Sequence, residues 1–474
     1  MADIGTAGEF KLEVLKLVTT SGLEVDLTTT VMGISLWEDI FSMTIAGTIV
    51  IADSTNLASY GPLLGQEYLY LKITTPFDTE DESNTIDFSK NAFLIHSISN
   101  REKFTSGIQG FTLSFVSTEL IKNQRLKVTQ SLTGTWSNIV RKMLTDPAYI
   151  DTRKRIDLEN SAGIKKFVAP NIRPLDVVVM GMKQAVSEFQ GEPTYLFYET
   201  LKGFNFRTIA SLYNNPSQLD YITVAPGSNP TGGENYDPLI ELRTVLEYNI
   251  VSNNDSIASY RGGMFGSKLI THDIINKKYT TITYNYHDEF VTESHIVSGV
   301  TEGKEEFPLV SAIKLNDKGL RVSDFPARTF LAPTSLTGGT DSQHQTENNT
   351  SPYMAYDPHM WMQKRNSQMI QLENALQVNI VTHGNTVVNA GDKVTLNLPY
   401  ISAPDAPGNE KFDKFYKGPF LIKRIRHDFN MIASPKMHRM TMSLVKDSLE
   451  EELDDSGPVE PSDTESNVEE YKYS

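Results

Sequence analysis

No cysteine occurs among the 474 residues, which excludes disulfide staples, thiolate catalysis and cysteine-based metal sites. Long apolar runs are missing too. The longest, LDVVVMGM at 175–182, falls far short of the roughly 20 residues a membrane-spanning helix needs. The opening MADIGTAGEFKLEV lacks the basic and apolar regions of a signal peptide. Positive charge is in deficit, with 43 Lys and Arg against 59 Asp and Glu and a net charge of −16. Without a basic stripe, sequence-specific nucleic-acid binding is not expected, because phosphate neutralisation supplies most of that affinity. The motifs GxxxxGK[ST], HExxH and GxSxG and an EF-hand loop are also absent.

What is present is length, moderate apolarity and strand-like alternation. The length suggests about three domains, and 39% hydrophobic with 22% charged residues suits a globular chain. One strand pair is used twice: FLIHSISNREKFTSGIQGFTLSFVST from Phe93 and FLIKRIRHDFNMIASPKMHRMTMSLVKD from Phe420. Each places a second isoleucine after Phe-Leu-Ile (Ile98, Ile425) and closes on an alternating strand (Phe111, Leu113, Phe115; Met440, Met442, Leu444). Period-two alternation marks a half-buried antiparallel strand, so a duplicated β-domain is expected.

The fold expectation is mainly β with α+β insertions. Residues 8–118 read as the first barrel-like β-domain, with an acidic loop from Pro76 to Asn91. Residues 119–239 read as an α/β module and linker. TGTWSNIVRKMLTD places Trp136, Ile139, Val140, Met143 and Leu144 on one helical face, with Thr133 or Thr135 as cap. A second helix starts at Pro174, and YLFYETLKGFNFRTI forms a hairpin about Lys202-Gly203. The second β-domain is expected to be discontinuous, 240–290 plus 366–448. Between them lie an insertion, 291–365, with a long polar loop, and a helix from about 358 to 376. IASY at 257–260 echoes LASY at 57–60 and supports the duplication. The segment 449–474 carries ten acids against Lys472 and reads as a solvated, disordered tail.

Candidate chemistry is sparse. GGMFGSKL (262–269) has the wrong spacing for a phosphate loop and reads as a glycine-rich turn. His287 and His295 lie near Asp288, Glu289 and Glu293, but without metal-ligand spacing. Packing or surface roles are the simpler reading. The Asn-x-Ser/Thr positions Asn254, Asn348 and Asn349 carry no meaning without secretion. No catalytic, cofactor-binding or metal-binding residue is assigned, no cofactor is expected, and the chain does not read as an enzyme.

Several strings nevertheless resemble a known family. They are EDIFSMTIAGTIVIADSTNLASYGPLLGQEYLYLKI, YLFYETLKGFNFR, RNSQMIQLENALQVNIVTHGNTVVNAGDKVTLNLP and FYKGPFLIKRIRHDF with MTMSLVKD. Together they resemble the baseplate central hub proteins of contractile-tailed, T-even-type phages, which are related to the N-terminal part of type VI secretion spike proteins. The resemblance implies two tail-tube-like antiparallel β-barrels plus an α/β module, assembled as a homotrimer in the virion baseplate. Such a hub adapts a threefold central spike to the sixfold tail tube and lines part of the DNA channel. Implied partners are a separate spike chain, the tail tube or its initiating ring, and wedge proteins. Host cytoplasm is the implied place of assembly, with no stable membrane insertion. A net negative lumen is expected from the acidic balance. The alternatives are a peripheral carbohydrate-binding tail protein and a cell-wall hydrolase.

Overall fold

The computed structural model describes residues 7–61, 63–75, 85–105, 107–189, 191–223, 238–252, 255–273, 277–297, 319–334, 356–374, 376–399 and 412–450. Most of the acidic 76–91 loop, most of the polar 332–358 loop, the second half of the 214–238 linker and the acidic tail beyond 450 lie outside the described residues.

The first eight strands form the first β-domain. They are β1 (Lys11–Val18), β2 (Glu24–Asp26), β3 (Val31–Asp39), β4 (Ala46–Asp53), β5 (Tyr68–Thr74), β6 (Thr85–Asp87), β7 (Phe93–Thr105) and β8 (Ile108–Ser117). Alternating apolar residues such as Ile49, Ile51, Phe111, Leu113 and Phe115 are buried. They join Leu15 and Leu17 of β1 and Ile34 and Leu36 of β3 in one cluster. Strands far apart on the path β3-β4-β8-β7-β5-β1 therefore share one interior, which requires the sheet to curl.

The α/β module follows with β9 (Ser131–Gly134), β10 (Ile156–Leu158), β11 (Lys165–Val168), β12 (Tyr195–Thr200) and β13 (Gly203–Thr208). Its helix Trp136–Thr145 is capped by Thr135, which accepts from the Asn138 N–H, and Trp136, Ile139, Val140, Met143 and Leu144 are all buried. The β12–β13 hairpin is observed, but Thr200 pairs with Gly203, so its two-residue turn is Leu201-Lys202 rather than the expected Lys202-Gly203.

The remaining strands are β14 (Ser217–Tyr221), β15 (Val245–Ser252), β16 (Gly266–Asp273), β17 (Lys278–Asn285), β18 (Arg328–Thr334), β19 (Leu376–His383), β20 (Lys393–Pro399), β21 (Phe412–Asn430) and β22 (Met437–Lys446). The second β-domain follows the path β15-β19-β22-β21, continued by β20 and β14. It repeats six strands of the first domain, β1, β3, β4, β5, β7 and β8, while β2 and β6 have no counterpart among the described residues. Leu94 opposes Val116 and Ile98 opposes Leu113, just as Leu421 opposes Val445 and Ile425 opposes Met442. The irregularities repeat as well. One bulge falls between Ile95 and Ser97 and its equivalent between Ile422 and Arg424. Another falls between Val31 and Gly33 and between Val245 and Glu247. Bulges re-aim a strand at a chosen position, so a shared bulge pattern is stronger evidence of duplication than alternation alone. The pairing also differs at one place: β1 runs antiparallel to β5, whereas β14 runs parallel to β20.

Two expectations are corrected. Of the span 240–290, β15 joins the second domain, but β16 and β17 form a separate three-stranded sheet with β18. That sheet packs over its own cluster, including Met264, Phe265, Tyr286 and Phe290, so the insertion starts soon after β15. The LASY/IASY echo is also not an equivalence. Leu57–Tyr60 is a helix following β4, whereas the helix Ser256–Gly262 follows β15, the counterpart of β3.

The expected helix at 358–376 is observed as a 3-10 turn, Pro358–Met360, and an α-helix, Met362–Asn374. Its polar residues are buried connectors. Arg365 donates to the Tyr195 carbonyl at 2.8 Å, Ser367 to Met264 at 2.9 Å, and Gln371 to the Tyr286 hydroxyl at 2.9 Å.

Candidate assembly interface

β21 is 19 residues long and serves both β-domains. Its first half pairs with β20 through Leu421. After the bulge at Lys423, residues Arg424–Asn430 pair antiparallel with β3, from Arg424↔Asp39 to Asn430↔Gly33. The two domains thus share one 14-stranded sheet among the described residues. Phe429 sits in the first domain's core, edge-on to Phe10 at 5.1 Å.

Polar groups buried along this seam are held in place. Glu38 of β3 is 1% exposed and accepts from the Leu201 N–H at 3.0 Å and the Ala390 N–H at 2.8 Å. One carboxyl group therefore joins the first domain, the module hairpin and the second domain. Burial pushes its pKa up to about 8, against the pull of the two N–H groups. Nearby, His427 and His438 are fully buried, with Nδ1 and Nε2 3.1 Å apart, and the His438 ring stacks on Phe429 at 4.1 Å. Burial drives the His427 pKa down to about 3 and that of His438 well below its ordinary value.

A buried ion triad fastens the module to the first domain. Lys154 contacts Glu119 at 2.8 Å and Glu199 at 2.6 Å. Glu199 also accepts from the Ile45 N–H at 3.0 Å and the Ser117 hydroxyl at 2.6 Å. Burial works against the Lys154 ammonium, but the two carboxylates hold its pKa above the ordinary lysine value.

Among the edges left open in the described residues are the outer side of β15 and part of β7. β15 ends the sheet path, and Leu246, Tyr248, Ile250 and Val251 are 39–50% exposed. On β7, strand β5 covers only Phe93 and Leu94, and no strand pairs the same side beyond them. Asn100 to Phe104 are exposed.

The sequence-stressed histidines do not form a metal centre, and no group of three or more potential ligands occurs among the described residues. His295 is buried between Asp447 at 3.0 Å and the Phe290 carbonyl at 2.7 Å. Glu293 accepts from the Tyr284 hydroxyl at 3.0 Å, and burial raises its pKa to about 7. His287 contributes its backbone N–H to Asn285. Of these, His295 ties the insertion to Asp447, just past the end of β22. A groove of about 790 Å³ between the first domain and the module is lined by Glu119 and Asp151 with Lys90, Lys122, Arg125 and Arg153. Glu119 is committed to Lys154, so the groove does not offer two unengaged carboxylates for glycoside hydrolysis.

The chain matches no described family model. A curated relative, a probable baseplate hub protein of Vibrio phage KVP40, is 25% identical over 197 residues, covering 40% of this chain and 44% of that protein. The chain is thus similar to a phage baseplate hub protein. The aligned stretch spans less than half of the relative's length. Two solved structures are also similar at low identity. A tail protein from Neisseria meningitidis covers 93% of this chain and 97% of its own at 10% identity and TM-score 0.47. The 43 kDa tail protein of prophage MuSo2 from Shewanella oneidensis covers 92% and 98% at 8% identity and TM-score 0.46. The resemblance to baseplate hub proteins read in the sequence is borne out.

Proposed function

We propose that this chain is a structural component of a phage tail baseplate. In this reading it is a trimeric central hub that adapts a threefold spike to the sixfold tail tube and forms part of the DNA channel. The observation that carries the reading is the pair of β-domains, alike to the level of their bulges and fused through one sheet. Three such chains present six near-equivalent domains, which is what a threefold-to-sixfold adaptor needs. Spike, tube or tube-initiating ring, and wedge proteins are its proposed partners, and the virion tail its proposed location. Its work is positional, resting on buried polar ties and apolar cores, and we assign it no catalytic group.

The polar side of the shared sheet carries Arg424 and Arg426 beside Asp39 and Asp428, with contacts of 2.5 Å and 2.9 Å. A channel lined by this side would be close to neutral there, unlike the negative lumen suggested by composition.

Light scattering on the full chain over a range of concentrations tests the reading. A mass of three chains is expected. A mass of six, as in a simple tube ring, would overturn the two-domains-per-chain argument.

A further inference from the structure

The net negative charge of the chain conceals a local excess of the opposite sign. Residues 119–168 carry ten Lys and Arg against five Asp and Glu, in a chain whose net charge is −16. Folding gathers part of that excess into the groove of about 790 Å³ between the first β-domain and the module. Lys122 and Arg125 stand in the last turn of the helix Thr118–Arg125. Arg153 lines the groove from the module and Lys90 from the first domain. All four are exposed.

Little in the groove offsets this charge. Glu119 is held by Lys154 and by the Thr152 hydroxyl, which leaves Asp151 as the one other carboxylate of the lining. Lys122 donates to the Ile150 and Asp151 carbonyls, both at 3.0 Å, contacts that position the ammonium without neutralising it. Arg125 and Arg153 enter no ion pair with any described residue. A concave basic site with low-dielectric walls concentrates its potential, so the groove selects an anionic occupant. Its walls are not purely ionic. Tyr68 is 46% exposed, and Leu94 and Ile121 also line the groove, which suits an acidic peptide better than a simple anion.

The chain itself carries a segment of that chemistry. Residues 451–474 hold nine Asp and Glu against Lys472, interspersed with Leu453, Val459, Val468, Tyr471 and Tyr473. The described residues stop at Glu450, beside Gly418 of β21. Extended, the residues beyond it span at most about 80 Å, against a radius of gyration of about 23 Å for a compact chain of this length. The groove is within their reach.

We propose that the segment 451–474 docks in the groove of its own chain, with its carboxylates on Lys90, Lys122, Arg125 and Arg153. Exposed ion pairs contribute little one at a time. A tethered segment, however, meets its site at an effective concentration on the order of millimolar, so several weak pairs suffice to hold it. This role differs from the solvated tail that composition alone suggests, and it does not depend on the hub reading.

Carbodiimide coupling tests the docking, because it joins a carboxylate to an amine only where the two already touch. The full chain is coupled as an equal mixture of isotope-labelled and unlabelled copies, and proteolysis with mass spectrometry locates the amides. Amides from 451–474 are expected on Lys90 and Lys122, within single copies. Their yield should fall about tenfold in about 1 M salt, where the screening length shrinks to about 3 Å. The variant R125E/R153E keeps both lysines and should lower the same amides about fivefold through like-charge repulsion. Its circular dichroism should match the parent's, since both side chains are exposed. If the variant does not fold, the salt series on the parent chain decides. Amides spread evenly over lysines outside the groove, or a yield indifferent to salt, would overturn the docking. So would amides joining labelled to unlabelled copies, because the segment of another copy would then be the occupant.

Discussion

At the residue scale, the joints between domains depend on a few buried polar groups rather than on apolar surface alone. Lys154 is the clearest case. Removing one partner of a buried ion group strands the others, so K154A is expected to destabilise the chain by roughly 3–5 kcal/mol, read as a lower denaturation midpoint. Glu38 and the His427–His438 pair give opposite pH responses. Glu38 has a folded pKa raised from 4.5 to about 8, so the folded state holds the proton more tightly and stability declines as pH rises across that interval. E38Q should flatten this part of the stability–pH curve. The histidines have depressed folded pKa values, so stability is greatest above about 6.5 and falls as pH drops towards 3. Replacing both rings, H427F/H438F, should make the acid-side slope shallower, because exchanging both partners for apolar groups of similar shape can be nearly neutral. Thermal melts at several pH values would show both effects. Gly384 has a narrower role. A Cβ there would lie 1.9 Å from the His438 ring, so G384A is expected to cost about 1–3 kcal/mol by overpacking.

At the element scale, β21 is decisive because it changes partner at its bulge. Its sequence shows the strand but not the exchange, since alternation reports which face is buried and not which neighbour supplies the ladder. The helix Met362–Asn374 makes the same point. Its polar residues suggest a solvated helix, yet Gln363, Arg365, Gln368 and Gln371 are buried because neighbouring elements supply their hydrogen-bond partners.

At the whole-molecule scale, duplication makes the two β-domains alike, and the inner seam makes them unequal. The β3–β21 joint lies within one chain and forms during folding, while the proposed hub forms on association of copies. Trimer formation should therefore depend on concentration, whereas pairing of β3 with β21 should not. Dilution followed by light scattering, with a thermal melt on the same samples, separates the two.

Sequence alone determined the local repeats: the matched Phe-Leu-Ile strands, the Thr135-capped helix face and the β12–β13 hairpin. Each depends on residues close together in the chain, where periodicity and turn chemistry act directly. It also carried the resemblance to baseplate hub proteins. The tertiary structure decided which strand lies beside which. It moved β16 and β17 out of the second domain, dismissed the LASY/IASY echo and placed Glu38 between Leu201 and Ala390. Those outcomes depend on strand partners and buried contacts separated in the chain, Ser267 from Arg328 and Glu38 from Ala390, where backbone hydrogen bonding and burial choose the partner and local pattern has no power to.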